Sequence, residues 1–254
     1  MDSEASTRGL DAAWATAVAA AHRAGVRLVE VIDPTQADGR IFRAFHGEEP
    51  NGMSVASLEP GSDGEASLRS HVDAAIDDPE SEVAMALRWR QRAWCLERGI
   101  ARVRWTFDPL VRSDAVVSLV ELGARAVGYR EDTDGLEVDW ELTAPRTEAA
   151  AAGRAAAPDV AALRRAGAQP ALTADPSGAP VMTPTVAARR LVQVPEAIEA
   201  IRATDQDLAR SWTTAIRAAL GEPLGAGFRI SGMTRDGWYV LAADRQVAEL
   251  ADRR

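Results

Sequence analysis

Ser70, His71 and Asp73 place a hydroxyl, an imidazole and a carboxylate close together in the chain. Imidazole titrates near neutrality, so His71 is a candidate general base with Asp73 beside it, and Tyr129 is a candidate acid. Asp108 precedes Pro109 and reads first as an acceptor for backbone N–H groups of the following turn, and second as a site carboxylate. His71, Asp73, Asp108 and Tyr129 are the candidate catalytic set. Cys95 falls late in a predicted helix with no histidine near it in sequence and reads as a buried, inert thiol. The three histidines, His22, His46 and His71, are scattered, so no metal site is expected. Neither a Gly-x-Ser-x-Gly elbow nor a phosphate-binding glycine loop occurs.

Periodicity and turn residues predict the elements that must hold these groups. Residues 9–24 read as a helix closed by Gly25, and 26–33, 40–46 and 53–59 as strands of an antiparallel meander. A further strand over 68–76 carries His71 and Asp73. Asp77-Asp78-Pro79-Glu80-Ser81-Glu82 leads into a helix over 82–99, with Asp78 as its cap and Pro79 in its first turn. Two apolar stripes on that helix, Val83, Leu87 and Trp94 beside Met85, Trp89 and Leu96, call for two packing partners, a sheet and one other. Its arginines, Arg88, Arg90 and Arg92, read as a solvated, partly interfacial face. A strand over 101–109, a helix over 113–124, and short strands around Tyr129 and over 136–142 follow. Residues 143–180, rich in Ala, Gly and Pro, read as a linker with at most one short helix near 159–166. A strand over 187–194, a helix over 195–220 and a hairpin across Thr234-Arg235-Asp236 end the chain.

The expected fold class is α/β (α+β): a mixed, mostly antiparallel sheet flanked by helices, with a C-terminal helix plus β-hairpin extension. The expected division is a domain over 1–144, a linker over 145–180 and an extension over 181–254.

Composition narrows the function classes. The chain has 254 residues, 46% of them hydrophobic, a formal net charge of −9 and one cysteine. A pI near 5.0 opposes a generic nucleic-acid surface, and a lone cysteine cannot form an internal disulfide. No long apolar run and no basic start to an apolar leader occur, so a cytoplasmic protein without a membrane partner is expected. All 29 Lys and Arg residues are arginine, a bias that fits a GC-rich bacterial genome.

The run ALRWRQRAWCLERGIARVRWTFDPL, the LGA helix end and DTDGLEVDWEL resemble a bacterial group of the GNAT superfamily of N-acetyltransferases, in which a WTFDPL strand follows the coenzyme-binding helix. The likeness continues through VPEAIEAI, LARSW and GWYVL and covers residues 68–245; the first 67 match in layout only. In that family the strand before the helix splays from the strand after it, here 68–76 from 103–107. The pantetheine arm of coenzyme A lies in the gap. The resemblance therefore puts His71, Asp73, Asp108 and Tyr129 around that cleft. The pyrophosphate sits on a loop of pattern R/Q-x-x-G-x-G/A, whose glycines let the backbone approach the phosphates at a helix N-terminus. Here the matching place is the run from Asp77 to Ala84, and every element of the pattern is replaced, with Asp77, Asp78, Glu80 and Glu82 supplying carboxylates. The family's asparagine-rich helix start is Ser113-Asp114-Ala115-Val116, and an arginine after DTD is Gly135.

The resemblance implies a GNAT-like chain without acetyl-CoA or any other cofactor. It would work as a subunit with a partner, a homo- or hetero-oligomer with a related GNAT-like chain, in small-molecule biosynthesis. Two alternatives stand beside it: non-acylating chemistry, such as elimination or decarboxylation, in the vacant cleft, and a conventional acyl-CoA-dependent N-acyltransferase.

Overall fold

The computed structural model describes residues 2–32, 39–60, 66–74 and 82–243. α1 (Asp2–Arg23) is alanine-rich, and alanine has the highest helix propensity. It closes through Gly25 at a φ of 64°, with the Val26 N–H donating to the Ala21 carbonyl at 3.0 Å. β1 (Arg27–Ile32), β2 (Gly39–His46), β3 (Glu49–Pro60) and β4 (Ala66–Ala74) then pair antiparallel in chain order, the expected meander. Alternation along β2, β3 and β4 buries Phe42, Ala44, Ser54, Ala56, Leu68 and Ser70.

α2 (Glu82–Glu97) packs on α1 and on β2, β3 and β4, the two partners its two stripes require. β5 (Arg102–Phe107) pairs parallel with β4 at Ser67↔Arg102, Leu68↔Val103 and Arg69↔Arg104, and β4 runs on to Ala74 beyond the last of these pairs. α3 (Arg112–Val116) passes directly into a π-helical turn over Val117–Glu121. β6 (Arg125–Arg130) and β7 (Gly135–Glu141) complete a seven-stranded sheet of order β1-β2-β3-β4-β5-β7-β6. The sheet is mixed and helix-flanked, as the sequence implies.

The rest of the chain holds α4 (Pro145–Ala151), α5 (Val160–Arg165), β8 (Gln169–Ala174), β9 (Pro180–Met182) and β10 (Arg189–Gln193). After these come α6 (Ile198–Thr204), α7 (Gln206–Ile216), a second π-helical turn (Arg217–Gly221), α8 (Glu222–Gly225), β11 (Phe228–Met233) and β12 (Trp238–Ala243). Five strands form a second sheet of order β11-β12-β10-β8-β9, in which β8 and β10 are parallel.

Three features differ from the sequence reading. The stretch read as a linker contains α4, α5, β8 and β9: Asp159 caps α5 by accepting from the Ala162 N–H, and β8 pairs with β10. The helix expected over 195–220 is broken at Asp205, whose extended backbone and side chain, accepting from the Leu208 N–H at 2.9 Å, start α7 afresh. The arginines of α2 are not solvated: Arg88 and Arg92 are buried. Flat guanidinium groups stack on aromatic faces while their edges donate hydrogen bonds, which offsets desolvation. Arg88 lies 4.0 Å from the Trp105 ring centroid and Arg90 lies 4.2 Å from that of Trp14. Arg90 also pairs with Glu30, and Arg92 donates to the Leu142 carbonyl and to Glu148. Burial lowers the pKa of Arg90 and of Arg92, and Glu30 and Glu148 oppose the shift.

The contacts divide the chain into two compact units, Met1–Trp105 with Asp139–Ala155, and Thr106–Val138 with Ala156–Arg254. In the first unit, Trp140 packs edge-on against Trp89, 5.4 Å between centroids, and against Trp105, 6.1 Å. In the second, fully buried Trp212 donates from its indole to the Gly178 carbonyl at 3.0 Å.

Cys95 is fully buried, and burial pushes its thiol up to about 12. The inert reading stands on that shift, because the reactive form is the thiolate. An exposed thiol ionises near 9.0. The raised folded value therefore contributes stability that is fully present below pH 9 and is lost as pH climbs toward 12. Iodoacetamide at neutral pH is expected to leave Cys95 unlabelled in the native chain and to label it fully in urea; rapid native labelling would show an accessible thiol.

Candidate functional site

The point where β4 outruns its pairing with β5 is lined by polar side chains. Ser54 on β3, Ser70 on β4, and Arg88 and Gln91 on α2 are all buried. Arg88 and Gln91 stand three apart on the helix and so share a face. Arg88 Nη1 donates to Ser70 Oγ at 2.8 Å and to Gln91 Oε1 at 3.2 Å. Gln91 Nε2 donates to Ser70 Oγ at 2.7 Å and to Ser54 Oγ, and the two hydroxyl oxygens are 3.2 Å apart. Trp105 of β5 closes the cluster under the Arg88 guanidinium. Neither serine is activated as a nucleophile, since no imidazole or carboxylate accepts from either among the described residues. The network's donors are directed at the oxygens of its own members. The sequence signal for it was an Arg and a Gln at helical spacing in an apolar helix, with two serines at buried strand positions.

His71 is exposed on β4, in register with Val55, and Asp73 is in register with Met53; the Asp73 side chain lies outside the described residues. So do Asp77, Asp78 and Glu80, while Glu82 is exposed at the first position of α2. His71 and Asp73 belong to the first compact unit, and Asp108 and Tyr129 to the second.

Asp108 does what its place before Pro109 implies, accepting the Leu110 N–H at 2.9 Å with Oδ1. Its Oδ2 pairs with Arg202 of α6. Half-buried Tyr129 donates from its hydroxyl to Asp134 Oδ1 at 3.0 Å. Arg217 grips the same carboxylate with two bonds of 2.7 Å. Burial, followed by the Asp134 bond, raises the Tyr129 hydroxyl well above the usual phenol range. The bonds from Arg217 hold Asp134 below the usual carboxylate range. A phenol so placed stays protonated and is a weak acid. Tyr239 connects the two candidates. Its hydroxyl donates to the Pro109 carbonyl at 2.9 Å, and its pKa is raised first by burial and then by Asp108, Asp114 and Tyr129. Gly135 stands where the resembled group has arginine; a Cβ there would come within 2.3 Å of Thr106 Cγ2, so this backbone path excludes a side chain.

Among the described residues no group of His, Cys, Asp and Glu could hold a metal, and no helix is long and apolar enough to cross a membrane.

No protein-family profile matches the chain, and no curated protein does. Among solved structures it is similar to FeeM, an N-acyl amino acid synthase from uncultured soil microbes, at 16% identity over 52% of this chain and 84% of that one, with a TM-score of 0.35. It is similar at 10% identity to an N-acetyltransferase from Staphylococcus aureus, over 42% of this chain and 69% of that one, TM-score 0.33. It is similar at 12% to the Campylobacter jejuni N-acetyltransferase PseH, over 42% and 70%, TM-score 0.32.

Proposed function

We propose that this chain is a GNAT-like protein that has lost conventional acetyl-CoA binding and acts with a partner in small-molecule metabolism. One observation carries the reading. The segment that would cradle a pyrophosphate supplies Asp77, Asp78, Glu80 and Glu82 and none of the glycines or the arginine that phosphates require. Each carboxylate within about 4–6 Å of a phosphate costs on the order of 1 kcal/mol or more at a protein-surface dielectric. Three or four such terms offset much of the ~8 kcal/mol that a micromolar complex requires. The three-pair β4–β5 ladder and the polar side chains set beside it support the reading, because Arg88 and Gln91 occupy the helix side of that parting with bonds of their own.

Acetyl-CoA is expected to bind more weakly than millimolar in calorimetry, and to bind better as salt screens the repulsion over a Debye length of about 8 Å or less. Restoring an arginine and two glycines within residues 78–84 is expected to strengthen binding. A low micromolar dissociation constant for the natural chain would overturn the coenzyme part of the proposal and favour an acyl-CoA-dependent N-acyltransferase.

A further inference from the structure

We infer that residues 189–243 are a second copy of the strand–helix–hairpin unit formed by residues 102–141, and that this copy is the partner, carried on the same chain and docked reciprocally on the first. This deepens the partner half of the proposal above and is independent of the coenzyme half.

The two stretches share their order of elements. β5, α3, a five-residue π-helical turn, β6 and β7 answer to β10, α6 with α7, a five-residue π-helical turn, β11 and β12. They share their sheet order, β5-β7-β6 and β10-β12-β11, and each first strand has a parallel neighbour on its other side, β4 and β8. They also share details that sheet order does not require. Pro109 stands two residues after the end of β5, and Pro195 two after the end of β10. Each hairpin turns through four residues, 131–134 and 234–237. In each the fourth is left-handed, Asp134 at a φ of 51° and Gly237 at 91°. Counting two and four residues on gives Leu136 and Val138 in one copy and Tyr239 and Leu241 in the other, all four fully buried. The second copy is the longer by two helices, one before its π-helical turn and α8 after it.

The contacts between the copies run both ways. β6 packs on the second π-helical turn, β11 packs on the first, and β6 and β11 meet each other. Asp134 in the first hairpin turn pairs with Arg217, which opens the second π-helical turn. Arg235 in the second hairpin turn pairs with Glu121, which closes the first. The exchange is two-fold in outline: the fourth residue of one hairpin turn meets the first residue of a π-helical turn, and the second residue of the other hairpin turn meets the last residue of the other π-helical turn. Here one chain supplies both halves. Asp108 and Tyr129 of the first copy are held by Arg202 and Arg217 of the second, so the second copy fixes both groups.

Sedimentation and hydrogen exchange on the full chain test this. The natural chain is expected to be a monomer of 27.1 kDa at micromolar concentration. Tyr129→Ala removes the ring that lies against Gly221 and is expected to raise exchange severalfold or more across the junction, in Arg217–Gly221 and β11. Tyr239→Phe keeps its ring and drops only the bond to Pro109, and is expected to raise exchange in the first copy, at the turn after β5. If Tyr129→Ala also loosens β1 to β4, the fold itself has failed and Tyr239→Phe alone decides. Exchange changes confined to the mutated copy would overturn the inference. So would a natural dimer that Val127→Arg, on the exposed side of β6, dissociates, since that face would then serve another chain. Tight acetyl-CoA binding would sink the coenzyme proposal and leave this one standing.

Discussion

Trp140→Ala is expected to lower stability by about 3–5 kcal/mol, the range for removing a fully buried aromatic side chain. The indole is edge-on to both Trp89 of α2 and Trp105 of β5, so its loss opens a cavity bounded by two other large rings that cannot collapse into it without leaving their rotamers. Urea unfolding followed by circular dichroism is the suitable measurement, because the substitution alters tryptophan fluorescence. Trp140→Phe is expected to recover part of the loss. A cost below about 1 kcal/mol for the alanine variant would contradict this packing.

Arg88→Ala is expected to cost about 2–4 kcal/mol, and for a different reason. It leaves Gln91 Oε1 without the donor it has here and takes one of two donors from Ser70 Oγ, in a place sealed from water. The cost of an unmade buried hydrogen bond exceeds the net gain of a made one, so the whole set matters more than its members. Replacing Arg88 and Gln91 by leucine and both serines by alanine together is expected to be markedly less damaging than Arg88→Ala alone. If the fourfold variant is the less stable of the two, the network is not the source of the loss.

Much of the fold was legible in the chain. Period-two runs located the meander, and Gly25 and Gly99 closed their helices in the left-handed conformation that a missing Cβ permits. Asp108 before Pro109 identified its own local hydrogen bond, and the late helix position of Cys95, with no histidine near it in sequence, implied an inert thiol. These depend on residues near one another in sequence, where spacing alone fixes geometry.

What the sequence left undecided depends on distant residues. A run such as Arg88, Arg90 and Arg92 looks solvated because charge favours water; Trp105, Trp14, Glu30 and the Leu142 carbonyl reverse that balance, and they come from four other elements or loops. Residues 145–180 looked like a linker because Ala, Gly and Pro carry little pattern, yet β8 gains its strand form from pairing with β10. The likeness of the two strand–helix–hairpin copies is invisible as sequence identity. It is carried by a shared sheet order, a shared left-handed turn position and reciprocal ion pairs, each satisfied by different residue types in the two halves. Backbone geometry and burial constrain the fold at such positions more tightly than they constrain side-chain identity.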